Sequence, residues 1–103
     1  MEFHNVSVDL KSNTYFEGRV TSRNIKFSDG SLKTLGVMLE GEYEFNTAKK
    51  EIMEITSGEM QVLLPGSSKW QTFTENTSFD VPANSSFKVK VMKITNYCCS
   101  YID

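Results

Sequence analysis

One histidine, His4, is all that the 103 residues contain, and it falls in the least patterned stretch of the chain. A Ser-His or Cys-His nucleophile pair therefore has a single, badly placed base. The two cysteines, Cys98 and Cys99, are adjacent. Bridging neighbours would strain the peptide between them, and their spacing matches no zinc or redox motif. Both are expected to be reduced, one on each side of a strand. Metal centres need clustered His, Cys or carboxylate ligands, and none is legible here. No glycine loop of the kind that cradles dinucleotides or nucleotide triphosphates occurs. Nor is there an excess of basic residues. The formal charge of −2 argues against a nucleic-acid partner, which needs a basic face. No apolar run approaches the roughly 18–20 residues that cross a bilayer. The start, Met1 to Asn13, lacks the basic-then-apolar order of a secretion signal. These absences predict a cytoplasmic protein with no membrane and no nucleic-acid partner.

What is present is short, alternating and punctuated. At 103 residues the chain makes one domain, large enough to bury roughly two-thirds of its unfolded surface. Hydrophobic residues make up 39% and aromatics 12%, a globular composition. Met1 to Asn13 alternates weakly at Phe3, Val6, Val8 and Leu10, as a peripheral strand or an arm over a partner subunit. Val20, Ile25 and Phe27 then mark half-buried strands. Ser28-Asp29-Gly30-Ser31 turns the chain into Lys33–Leu39, which predicts a hairpin. Glu40-Gly41 reads as a kink or bulge before a strand over Glu42–Phe45. Further strands are predicted over Glu51–Thr56, Met60–Leu64, Trp70–Phe73, Phe79–Val81, Phe87–Val91 and Tyr97–Ile102. Ser57-Gly58, Pro65-Gly66-Ser67-Ser68 and Glu75-Asn76-Thr77 read as turns between them. A helix competes only over Ala48–Ile55, where β-branched residues and short length favour a strand. About ten short strands predict an all-β sandwich or barrel.

The candidate site residues lie around Gly36–Gly58. In Glu42-Tyr43-Glu44-Phe45, alternation puts the acids on one face and the rings on the other. Either the acids form a solvated face over an aromatic core, or they turn inward to bind sugar hydroxyls or act as acid and base. Arg19, Arg23 and Lys33 are the available anion partners. Trp70, Phe79 and Phe87 are expected in the core, and each could also stack on a ring ligand.

Taken in order, several segments resemble the pyrimidine/purine nucleoside phosphorylase family, small proteins of the cupin superfamily. The likeness runs through Ser12-Asn13-Thr14-Tyr15-Phe16-Glu17-Gly18-Arg19-Val20, Lys33-Thr34-Leu35-Gly36-Val37-Met38 and Gly41–Phe45. It continues in Glu51-Ile52-Met53, in Leu64-Pro65-Gly66 with Trp70, in Phe79–Phe87, and in Tyr97-Cys98-Cys99-Ser100-Tyr101. It covers residues 12 to 102 and leaves residues 1–11 as an N-terminal extension or peripheral strand before a cupin-like domain over 12–103. A cupin pattern also maps in degraded form. Gly36 takes the first glycine, Glu42 and Glu44 the two histidine positions, and Glu51 precedes Gly58 at the usual distance. In the second motif Pro82 is kept, Asn76 and Asn84 stand at glycine positions, and Phe87 stands where a histidine ligand would be. The resemblance therefore implies a cupin-like β-barrel of jelly-roll type with no metal and no cofactor.

The activity so implied is phosphorolysis of purine and pyrimidine nucleosides, with inorganic phosphate as co-substrate and a homodimer as the assembly. On that expectation Arg19 and Lys33 hold phosphate, Glu42 and Glu44 serve the pentose and catalysis, and Tyr43, Phe45 and Phe87 stack on the base. The alternatives are a metal-free cupin that binds a sugar or nucleoside without turnover, and an interaction domain with no small ligand.

Overall fold

A computed structural model describes all 103 residues. It contains nine strands: β1 Ser7–Val8, β2 Asn13–Tyr15, β3 Val20–Lys26, β4 Leu32–Met38, β5 Gly41–Asn46, β6 Lys50–Leu63, β7 Gln71–Thr74, β8 Thr77–Val81 and β9 Ser86–Ile102. The one helical piece is a single 3₁₀ turn, Phe16–Gly18. No helix is long and apolar enough to cross a membrane.

Two long strands form the spine. β6 and β9 pair antiparallel from Lys50↔Ile102 to Leu63↔Lys88. On one side β4 pairs with Thr95–Ser100 of β9, and β5 with Ser86–Val91. On the other, β8 pairs with Glu51–Ile55 of β6, and β7 with Glu59–Val62. The pairings run β1-β3-β4-β9-β6-β7 with β2, β5 and β8 attached, and none joins β5 to β2. The open seam between those two edges borders the cavity described below.

The predicted turn at Ser57-Gly58 is instead an irregular bend inside continuous β6, with register shifts between Ile55 and Met60. Glycine explains the difference. Gly58 has φ +104°, which lets an extra residue enter the ladder without ending the strand. Opposite it, Thr95 is fully buried and donates through Oγ1 to the Lys93 carbonyl at 2.8 Å. β9 likewise continues through Met92–Asn96, where no Gly or Pro interrupts it.

Side chains from both ends of the spine share one core. Met53, Ile55, Met60 and Val62 of β6 meet Phe87, Val89, Val91, Tyr97 and Cys99 of β9, with Val20, Met38, Tyr43, Phe79 and Val81. Phe79 and Phe87 are in this core as the sequence suggests. Trp70 is not. It is half-buried at the surface, with the Lys90 ammonium 4.3 Å from its ring centroid, a cation–π contact. Both cysteines are free and buried, and only Cys99 joins the core.

Candidate active site

A cavity of about 140 Å³ opens within the sheet, beside the seam between β2 and β5. One wall is apolar: Met38, Met53, Phe45 and Phe87. The Phe45 and Phe87 rings tilt against each other with centroids 5.5 Å apart. The rest of the lining carries the polar groups Ser22, Thr34, Glu51, Tyr97, Cys99 and Tyr101. Period-two alternation places them. Tyr97, Cys99 and Tyr101 share a face of β9, and Glu51 shares the inward face of β6 with Met53 and Ile55. Tyr97 fits because β4 carries Gly36 opposite it. A Cβ there would stand 2.5 Å from the Tyr97 ring and 2.3 Å from the Thr21 carbonyl oxygen. That carbonyl accepts from the Tyr97 hydroxyl at 3.3 Å.

A wider mouth of about 620 Å³ adjoins this cavity. Tyr15, Thr34, Asn46, Glu51 and Tyr101 border both spaces and form the neck. Asn13, Asn24, Lys49 and Asp103 line the mouth only. Lys49 is the one cation among the lining residues of cavity and mouth, and its Nζ stands 2.7 Å from Oδ1 of Asp103.

Burial shifts the ionisable groups of the polar lining toward their neutral forms. Burial pushes the Glu51 carboxyl above its ordinary value, with a hydrogen bond from Cys99 acting weakly the other way. Burial also raises the Cys99 thiol, assisted by the Glu51 charge. The Tyr97 and Tyr101 hydroxyls are raised by burial too, so at neutral pH all three stay protonated and can donate. Thr34 Oγ1 lies 3.3 Å from the Tyr101 hydroxyl.

The sequence-predicted residues divide sharply. Phe45 and Phe87 line the cavity, while Tyr43 is buried beside it with its hydroxyl donating to the Leu39 carbonyl at 2.7 Å. Glu42 and Glu44 are exposed on the outer face of β5, directly opposite Lys90 and Lys88. They border a separate outer groove with Trp70, not the cavity. The physical reason is the β5–β9 register: burying Tyr43 and Phe45 turns both acids outward. Arg19 donates to the Glu40 carbonyl at 3.1 Å and lies 5.3 Å from the Tyr43 ring centre. Lys33 sits on the outer face, 5.5 Å from the Phe3 ring centre and 5.8 Å from that of Phe27. Neither cation lines the cavity or its mouth. Arg23 donates to the Leu10 carbonyl.

Sequence reasoning did not single out Lys49 and Asn13, and it mapped Glu51 only as the glutamate of the cupin pattern. A signal for Glu51 existed. It falls in register with Met53 and Ile55, so it is a carboxylate on a core-facing stripe. Lys49 and Asn13 carried none, because their importance comes from residues far away in sequence.

The architecture places the chain among cupin-like proteins. It superposes on an RmlC-like cupin from Shewanella frigidimarina with a TM-score of 0.71 at 14% identity, over 97% of this chain and 86% of that one. A protein of unknown function from Acinetobacter sp. ADP1 is much nearer, with a TM-score of 0.96 and 40% identity over 98% of both chains. The pyrimidine/purine nucleoside phosphorylase family pattern matches residues 10–101. A pyrimidine/purine nucleoside phosphorylase from Sulfurovum sp. is 59% identical over 101 residues, 98% of each chain. The chain belongs to the pyrimidine/purine nucleoside phosphorylase family.

Proposed function

We propose that this protein cleaves purine and pyrimidine nucleosides with inorganic phosphate, releasing the free base and a pentose 1-phosphate. The observation that carries the reading is Glu51. It is the only carboxyl bordering the inner cavity, it sits at the neck, and burial holds its proton to higher pH. The name borne by the relative from Sulfurovum sp. supports the same chemistry.

In this reading the base enters the inner cavity and lies against Phe45 and Phe87. Stacking on rings depends little on which base is present, which suits a broad substrate range. The pentose occupies the neck and mouth, so the bond between C1′ and the base nitrogen lies beside Glu51. As that bond breaks, its electron pair goes to the base, which takes a proton from the Glu51 carboxyl. A phosphate oxygen arriving from the mouth bonds to C1′, and the proton that the phosphate sheds returns to Glu51. Lys49 is the cation placed to hold that phosphate, exchanging its Asp103 partner for the anion. The enclosed cavity keeps water from competing and strengthens each of these contacts.

Purified protein with uridine, adenosine or guanosine and phosphate is expected to release free base, and Lys49→Met to raise the KM for phosphate roughly tenfold with little change for nucleoside. Binding of nucleoside without any phosphate-dependent product would mark a non-catalytic binding protein instead.

The assembly is a homodimer through the outer face of β3 and β4. There Arg23, Leu35, Val37 and Asn96 line a shallow depression, with Leu35 39% exposed. Sedimentation equilibrium should give twice the 11.7 kDa chain mass, and Leu35→Glu should return the monomer. A monomeric unchanged protein at micromolar concentration would rule this out.

A further inference from the structure

Residues 1–9 precede the matched family pattern, which begins at residue 10, yet the structure ties this arm to the mouth of the cavity. β1 pairs with Ile25 and Lys26 of β3. The Asp9 N–H then donates to the Asn24 carbonyl at 3.1 Å, and Asp9 Oδ2 accepts from Nδ2 of Asn24 at 2.9 Å. An ionised carboxylate can only accept. Asp9 therefore fixes which way the Asn24 amide points, nitrogen toward the arm and oxygen toward the mouth. Asn24 Oδ1 in turn accepts from Nδ2 of Asn13 at 3.0 Å. The same Asn13 nitrogen donates to Oγ of buried Ser22 at 3.2 Å.

This chain has a direction and one loose end. Each amide is oriented by the group before it, and both hydrogens on Asn13 Nδ2 are engaged. Asn13 Oδ1 accepts from no group in the protein, and Asn13 lines the mouth beside Asn24 and Thr34. An oriented acceptor open to the mouth can take a hydrogen bond from a donor on the ligand. It suits phosphate poorly, because most phosphate oxygens are anionic acceptors that it would repel. It lies outside the inner cavity that takes the base. The remaining part of a nucleoside is the pentose, whose hydroxyls can donate and which every nucleoside carries.

We infer that Asn13 Oδ1 is a preset acceptor for one pentose hydroxyl, and that Asp9, through Asn24, is the positioning residue that orients it. This rests on the nucleoside reading above, and it makes the N-terminal arm part of the site. A fixed contact to the sugar discriminates among pentoses without narrowing the range of bases.

The test compares kcat/KM for uridine and for its 2′-, 3′- and 5′-deoxy derivatives, at saturating phosphate, in full-length protein. The unchanged protein should handle one of the three derivatives roughly tenfold less well than uridine, the size of one net hydrogen bond. Asn13→Ala should erase that penalty. Asp9→Ala should erase most of it through KM, with kcat unchanged, and Asp9→Asn, which keeps an accepting oxygen, should restore it. A purely structural arm would lower all four substrates together. An equal penalty in every variant, or none in the unchanged protein, overturns the inference and leaves phosphorolysis standing. Should Asn13→Ala fail to fold, the comparison of Asp9→Ala with Asp9→Asn decides alone, because Asp9 is an exposed residue of the arm. Absence of turnover with any nucleoside overturns the reading and the inference together.

Discussion

Glu51→Gln is expected to lower kcat for nucleoside phosphorolysis by roughly 10²–10⁴, the usual worth of a positioned general acid, with nucleoside KM little changed. The amide keeps the size of the side chain and its place beside Cys99 but carries no transferable proton. The same substitution should make the protein more stable at neutral pH, and the sign follows from linkage. Burial raises the folded-state pKa of Glu51 above its ordinary 4.5. Between 4.5 and that raised value the unfolded chain has released the proton and the native state still holds it. Stability contributed by this group therefore falls as pH rises through the window, and the penalty is full above it. Thermal unfolding of the two proteins should coincide below pH 4.5 and diverge above it, with Glu51→Gln the higher. A variant that keeps its turnover would remove Glu51 from the mechanism. Glu42→Gln and Glu44→Gln belong in the same assay. Turnover lost in either, and kept in Glu51→Gln, would return the acid to β5.

The second large effect is on the fold. Gly58→Ala is expected to destabilise the protein by about 3–4 kcal/mol, a large share of the 5–15 kcal/mol typical of a domain. Two costs combine. The backbone at Gly58 holds φ +104°, a region that side-chain-bearing residues occupy only under strain. The added Cβ would also stand 2.5 Å from the Ile94 carbonyl oxygen and 2.6 Å from the Thr95 Cα. Both are backbone atoms in the paired strand, so no rotamer change relieves the contact. Because the bend lets the two halves of β6 and β9 close on one core, the loss should appear as global unfolding. Urea titration measures it, and a change under 1 kcal/mol would mean that the bend relaxes locally. No direct effect on the proposed catalytic groups is expected, since Gly58 does not line the cavity.

Strand content, the turn at Ser28–Ser31 and the paired faces of β5 were legible in the chain because they depend on neighbours. A strand alternates with period two wherever it lies. Thus Glu42 and Glu44 had to share a face opposite Tyr43 and Phe45. Which face met the cavity was settled by β9, whose Val89 and Phe87 stand opposite Tyr43 and Phe45 and whose Lys90 and Lys88 stand opposite the acids. A hydrophobic strand face is drawn inward by the area it removes from water, and the acids followed outward. Glu51 shows the opposite outcome. Its stripe is core-facing by Met53 and Ile55, so the carboxyl is carried to the neck despite the cost of its burial. The break at Gly58 was also visible, but as a turn. A glycine with positive φ serves a turn or a bulge equally well, and only the partner strand distinguishes them.

By itself the sequence determined a small all-β domain with a single histidine and no legible cluster of metal ligands, and its ordered segments pointed to the family. Those properties follow from residue type and from spacing over a few positions. The tertiary structure decided which residues line the cavity and its mouth. Glu51 meets Cys99, Asn13 meets Asn24 and Lys49 meets Asp103 only because sheet pairing brings distant segments together. Register is fixed by the shared core rather than by either strand alone, so the identity of the groups at the neck became visible only once both strands were in place.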